Sequence, residues 1–188
     1  MYIPEHFKET NSETISALIE GNSFGMIVTA PDGVPFVSHL PFFDHAAGSK
    51  GKLLCHMARA NQQWQHFSSC REALVVFQGP HAYVSPSWYS SPDVPTWNYA
   101  VVHLRGKPRL IDSEPENEVL VERLTHLYKF HMQSLWKPSL SGERRTKLLN
   151  MIVGLEIEVT DIQAKFKLSQ NRSIEDQQRV AEALSQST

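Results

Sequence analysis

With 188 residues, 41% hydrophobic and 20% charged, the chain can bury one sizeable core, which excludes a globally disordered or fibrous protein. A formal net charge of −2 excludes a broadly basic nucleic-acid surface and leaves only local patches. Cys55 and Cys70 form neither a CxxC pair nor a zinc spacing, no apolar run approaches the roughly 20 residues of a membrane span, and "MYIPEHFKET" has no signal-peptide pattern, so a reduced, cytoplasmic protein is expected.

In chain order, "NSETISALIEGNSFG" predicts a helix capped by Asn11 or Ser12, with Ile15, Leu18 and Ile19 as its apolar stripe and Gly21 at its end. "FGMIVTA", the turn "APDGVP" and "VPFVSHLPFF" predict a hairpin over 24–43. "DHAAGSKG" is expected as a polar turn and "KLLCHM" as a third strand. "ARANQQWQHFSS" follows as a short helix, with Asn61 as a capping residue and Trp64 and Phe67 on one side. "EALVVFQG" reads as a central fourth strand. "PHAYVSPSWYSSPDVPTW" is expected as a long loop, pinned to the core by Tyr83, Trp88, Tyr89 and Trp97. "NYAVVHLRGKPRLI" predicts a strand with a turn at Gly106–Pro108. Residues 113–132 predict a helix capped by Ser113, with Val119, Leu120, Leu124 and Leu127 as its stripe, and "SGERRTKLLNMI" predicts a second. "VGLEIEVTDIQAKFKL" alternates as a strand, and the chain closes on a polar helix and tail. Short strands joined by tight turns favour an antiparallel barrel, mainly β with flanking helices. Neither the Rossmann nor the P-loop glycine pattern is present.

The segment "HMARAN" carries His56, Arg59 and Asn61 from a strand end into a helix start. That is a fitting place for an anion, because the guanidinium fork and adjacent N–H groups can converge on a phosphate. The alternative is a solvated Arg59 with Asn61 as a plain cap. In "VSHLPFF", alternation sends Ser38 and His39 to opposite faces, and His39 gains interest if it meets His56 on one face. Trp88, Tyr89 and Trp97 could wall a flat aromatic cofactor, with Asn98 among the polar contacts. "KFKLSQNR" gathers Lys165, Lys167, Ser169, Gln170, Asn171 and Arg172, which could close over a phosphate or ring edge or simply form a solvated strand end. The histidines offer no metal spacing, since His126 and His131 are five apart on a helix, and no hydrolase elbow is present.

Taken together, "MYIPEHF", "SHLPF", "HMARANQQW", "VVFQGPHAYVSPSWY", "VPTWNYAVVHLRG" and "KFKLSQNR" resemble the PaiB family of FMN-binding negative transcriptional regulators, over residues 1–172. The resemblance implies an antiparallel split β-barrel of the pyridoxamine-phosphate-oxidase kind over 1–172 with inserted helices, followed by a helix and tail over 173–188. It implies a homodimer with FMN at the subunit interface. By motif order it assigns Ser38, His39, His56, Arg59 and Asn61 to the phosphate and ribityl side, Trp97 and Asn98 to the ring side, and Lys167 and Gln170 as closers, with no metal. Gln62 stands where the family pattern has proline, and 136–150 diverges. The resemblance leaves three functions open: a regulator, a flavin-dependent oxidoreductase, and a haem-binding or haem-degrading protein. Arg144, Arg145 and Lys147 are only a small basic cluster, and no helix-turn-helix pattern supports direct DNA binding.

Overall fold

The computed structural model describes residues 1–45, 51–129 and 141–186. Its strands are β1 (Lys8–Glu9), β2 (Phe24–Thr29), β3 (Phe36–Pro41), β4 (Phe43–His45), β5 (Lys52–Ala58), β6 (Ala73–Val84), β7 (Thr96–Ile111) and β8 (Ile152–Lys167). The helices are α1 (Ser12–Gly21), α2 (Gln63–His66), α3 (Glu114–Lys129), α4 (Gly142–Leu149) and α5 (Ile174–Gln186). All strand pairs are antiparallel, in the order β3-β2-β6-β7-β8-β5-β4 with β1 beside β8. The sheet curls into a split barrel, but among the described residues the ladder does not return from β4 to β3.

Local chemistry explains most of these boundaries. The Asn11 side chain accepts the Thr14 N–H at 2.9 Å and starts α1. Ile15, Leu18 and Ile19 then fall on one face and are buried. The β2–β3 hairpin turns through Gly33, whose φ of +81° suits glycine. Inward residues of the sheet, among them Ile27, Leu53, Cys55, Val75, Phe77, Val102, Leu104, Leu155 and Ile157, form the main core with α1 and Phe67. A second, smaller cluster of Leu54, Ile111, Leu120 and Leu124 lies between α3 and the outer face of β5 and β7. A third packs Val180 of α5 on Val84 and Tyr89. No described helix is long and apolar enough to cross a membrane, and both cysteines are free.

Three local expectations are corrected. The loop expected over 80–97 is shorter, because β6 runs to Val84 and β7 begins at Thr96; alternating inward Val84 and Asn98 keep the segments in register with each other. Gly106–Pro108 is not a turn. β7 continues through it with a register shift between Arg105 and Gly106, and the glycine admits the Glu158 backbone at a distance a side chain would not. The polar turn after the hairpin begins later than expected, since Phe43–His45 pair with Lys52–Leu54 as β4. The end of the 113–132 helix, including His131, and part of the divergent 136–150 segment lie outside the described residues.

Candidate functional site

At the open end of the barrel, Asn61 links two strands that the backbone ladder leaves apart. Its amide donates to Ser38 Oγ at 2.8 Å, while its Oδ1 accepts the Gln63 N–H at 3.0 Å. Asn61 thus holds the first N–H of α2, whose N-cap residue is Gln62, and ties the segment after β5 to β3. Ser38 can receive this bond because it faces inward, opposite the buried Ile27. Gln63 continues the polar seam: its Nε2 contacts the Ile27 carbonyl, Thr29 Oγ1 and the Phe36 carbonyl, each at 3.1 Å. Thr29 Oγ1 also meets His66 Nδ1 at 2.9 Å. Gln63 was not singled out from sequence. The available signal was a long amide two residues after an Asn, at a helix start next to a strand hairpin.

Arg59 lies beside this seam. Its Nε donates to the Asn150 carbonyl at 2.8 Å, and its Nη2 to the Ile152 carbonyl at 3.0 Å and to Asp112 at 2.5 Å. The guanidinium therefore joins the end of β5 to the start of β8 and to the corner between β7 and α3. The Trp64 indole donates to the Arg59 carbonyl at 2.9 Å and fixes the bend. Among the described residues Nη1 makes no hydrogen bond, and the side chain is about one-third exposed.

The two strand histidines occupy different surroundings and do not meet. His39 faces outward on β3 and stacks with the exposed Phe24 at 6.3 Å between centroids. His56 stands opposite Gly154 on the face of β5 that also carries Leu54, beneath α3. Burial pushes its imidazole below the ordinary histidine value. Its Nδ1 and the Asn117 Oδ1 are buried without hydrogen-bond partners among the described residues. A Cβ on Gly154 would come within 2.7 Å of that Asn117 oxygen.

Trp97, Asn98, Lys167 and Gln170 gather at the far end of β7 and β8. Asn98 faces inward and exchanges hydrogen bonds with Ser169, at 3.0 and 3.2 Å. Ser169 is held at φ +69°, a left-handed conformation that turns the chain after β8. Lys167 donates to the Trp97 carbonyl at 2.8 Å and to Thr96 Oγ1. Gln170 closes the same turn: its Oε1 accepts the Leu168 N–H at 2.6 Å and its Nε2 donates to the Phe166 carbonyl. Trp97 is 52% exposed.

One chain therefore joins Ser38 to Asn61 at one end, with the Arg59 guanidinium turned from them toward Asp112 and the start of β8, and gathers Trp97, Asn98, Lys167 and Gln170 at another. From Leu104, in the same cross-strand row as Ser38, Asn98 lies six residues farther along β7, about 20 Å. On the opposite face, one position from the Ser38 row, runs the outer row His39–Met26–Val76–His103–Gln163, continuous across five strands and half-exposed. Among the described residues no group of His, Cys, Asp or Glu is arranged to hold a metal ion.

Comparison with known proteins fits this architecture. Residues 1–161 match the family described as "Putative FMN-binding domain". The chain is 43% identical to "Protease synthase and sporulation protein PAI 2" of Bacillus subtilis, an alignment covering 98% of this chain and 89% of that one. Among solved structures, the flavocytochrome Anf3 of Azotobacter vinelandii superposes with a TM-score of 0.66 at 15% identity, over 88% of this chain and 72% of that one. A "Putative Pyridoxamine 5'-phosphate oxidase" of Listeria innocua gives 0.51 at 14% identity, over 81% and 96%. The two structural likenesses speak to the fold.

Proposed function

Since the chain belongs to this FMN-binding-domain family of the PaiB type, we propose that it is a homodimeric FMN-binding protein whose flavin sites are each shared between two copies. The observation that carries this reading is the separation of the two residue groups within one chain. Ser38, Asn61 and Arg59 offer hydrogen bonds and a fixed cation suited to the phosphate and ribityl chain, while His39, outward on β3, and His56, buried beneath α3, stand apart from them. Trp97 offers an exposed planar wall, Asn98 a polar contact, and Lys167 and Gln170 a closing turn. A two-fold dimer lets the second group of one copy face the first group of the other. The fit to a phosphate rests on Arg59, whose Nη1 makes no hydrogen bond among the described residues and whose partner Asp112 is largely exposed. The half-exposed outer row, flanked by Phe24 at 67% and Val37 at 45% exposure, suits burial against a second copy. Bound there, FMN would supply redox chemistry, while this chain binds and orients it.

The biological role we favour is regulatory. It works through the flavin-bound state rather than through direct reading of DNA, because the basic cluster on α4 is already partly neutralised by the Arg145–Glu118 ion pair. NAD(P)H-driven bleaching of the flavin would instead favour an oxidoreductase, and a Soret band on haem titration would favour the haem reading, with His39 as the accessible histidine. The shared site is tested by complementation. Arg59→Ala and Trp97→Ala proteins each bind FMN weakly, but after mixing and subunit exchange every heterodimer carries one unaltered site. A fraction of tight binding should therefore return. If mixing restores none, the site lies within one chain.

A further inference from the structure

On the outer face of β6 and β7, four rings stand in two cross-strand pairs, Tyr83 opposite Trp97 and His81 opposite Tyr99. The Tyr83 and Trp97 rings meet edge to face at 6.0 Å, and His81 lies 6.3 Å from Trp97. Tyr99 in turn stands opposite Lys167 on β8, and Lys165, two residues earlier, shares that face. Lys165 is only 8% exposed. Its ammonium donates to the Tyr2 carbonyl at 3.2 Å and sits 5.5 and 5.3 Å from the Tyr2 and Tyr99 ring centroids.

Among the described residues, neither Lys165 nor Lys167 has a carboxylate partner, whereas Lys52, Arg59, Arg109 and Arg172 each face one. A buried Lys165 ammonium beside a half-buried Lys167, with no counter-charge, is costly, and ring faces and neutral carbonyls offset only part of that cost. Burial first, then repulsion from Lys165 and Arg172, draws the Lys167 ammonium below the ordinary lysine value against an opposing contribution from Tyr99. Each ammonium carries three donors, of which Lys165 uses one and Lys167 two on the acceptors described. The corner thus has positive charge, unspent donors and exposed aromatic surface side by side.

We propose that this corner binds a small planar aromatic molecule bearing a phosphate or carboxylate. The anion meets Lys167 in the positive field of Lys165 behind it, and the ring lies along the Tyr83–Trp97 edge. That this molecule is a substrate or effector of the flavin rests on the FMN reading above; the binding itself does not.

Calorimetric titration of flavin-free and FMN-loaded protein with phenyl phosphate, benzoate and phenol tests it. Phenyl phosphate or benzoate should bind both forms at least tenfold more tightly than phenol, and the stronger of the two names the anion. Lys167→Gln should weaken that binding at least tenfold. Lys165→Met should weaken it too, while Lys165→Arg, which keeps the charge, should retain it. Anions binding no better than phenol, or a folded Lys167→Gln protein with unchanged affinity, would overturn the proposal. If FMN loading abolishes anion binding, the lysines hold the flavin phosphate itself and the proposal falls while FMN binding stands. If FMN fails to bind but phenyl phosphate does, the flavin reading falls and this site remains. If no probe binds and Lys167→Gln turns a dimer into a monomer, the lysines serve a second copy and the proposal is overturned.

Discussion

Arg59 reaches Asp112 with Nη2 at 2.5 Å, so the cation assigned to a phosphate is held by an exposed carboxylate as well as by two backbone carbonyls. Arg59→Ala should lower FMN affinity by about 1.5–3 kcal/mol, the worth of a charge-assisted hydrogen bond. Asp112→Ala removes the competing anion and should leave binding equal or tighter. Titration by quenching of FMN fluorescence reads both, and wild-type affinity in Arg59→Ala would remove this residue from the site.

Asn61→Ala deletes both the Ser38 contact and the acceptor for the Gln63 N–H. A loss of about 1–2 kcal/mol in folding stability is expected from these two part-buried hydrogen bonds. Urea denaturation measures it. Ser38→Ala, which leaves the bond to the Gln63 N–H in place, should cost less, and equal losses would show that this bond contributes nothing.

His56 gives the protein a pH-dependent stability. Its folded-state value lies below the ordinary 6.5, because burial disfavours the charged ring. The unfolded chain therefore binds the proton more readily. The stability from neutral His56 is full above about pH 6.5 and declines as pH falls from there toward the folded-state value. His103 is shifted in the same direction, by burial first. Comparing urea midpoints at neutral and mildly acidic pH, His56→Gln should have a shallower decline than the parent; identical slopes would refute this assignment.

Glycine substitutions separate close approach from simple flexibility. At Gly106 a Cβ would lie 2.5 Å from the Glu158 carbonyl oxygen and from Ile157 Cγ2, so Gly106→Ala should destabilise by about 1–3 kcal/mol or more. At Gly21, the last residue of α1, a Cβ meets nothing within 4 Å, and Gly21→Ala should be neutral or stabilising by up to about 1 kcal/mol. Thermal melts of the two proteins should therefore move apart.

Much of the fold was legible because its signals are local. Asn11 with the Ile15, Leu18 and Ile19 stripe marked α1, and the "APDGVP" turn between alternating segments marked the β2–β3 hairpin. The bend at Gly106 was not legible as a bulge, because its cause is the approach of Glu158, remote in sequence. The site was legible only as an inventory of residues. Sequence could place Arg59 after a strand, but not Asp112 beside it, since the contact forms when the β7–α3 corner folds against β5. It could separate Ser38 from His39 by alternation, yet it could not show that His56 belongs under α3 rather than beside His39. Lys165 had a usable signal, a lysine two positions from another on one strand face, but its burial under Tyr2 is tertiary.

The two sixteen-residue strands β7 and β8 have a further consequence. Val102 and Leu104 anchor β7 in the main core while Ile111, at its other end, enters the cluster beneath α3. A rod shared by both compartments leaves neither free to melt alone. The barrel and its helical cover should therefore lose order in one calorimetric transition, with the central amides of these strands exchanging their hydrogens only when the whole molecule opens.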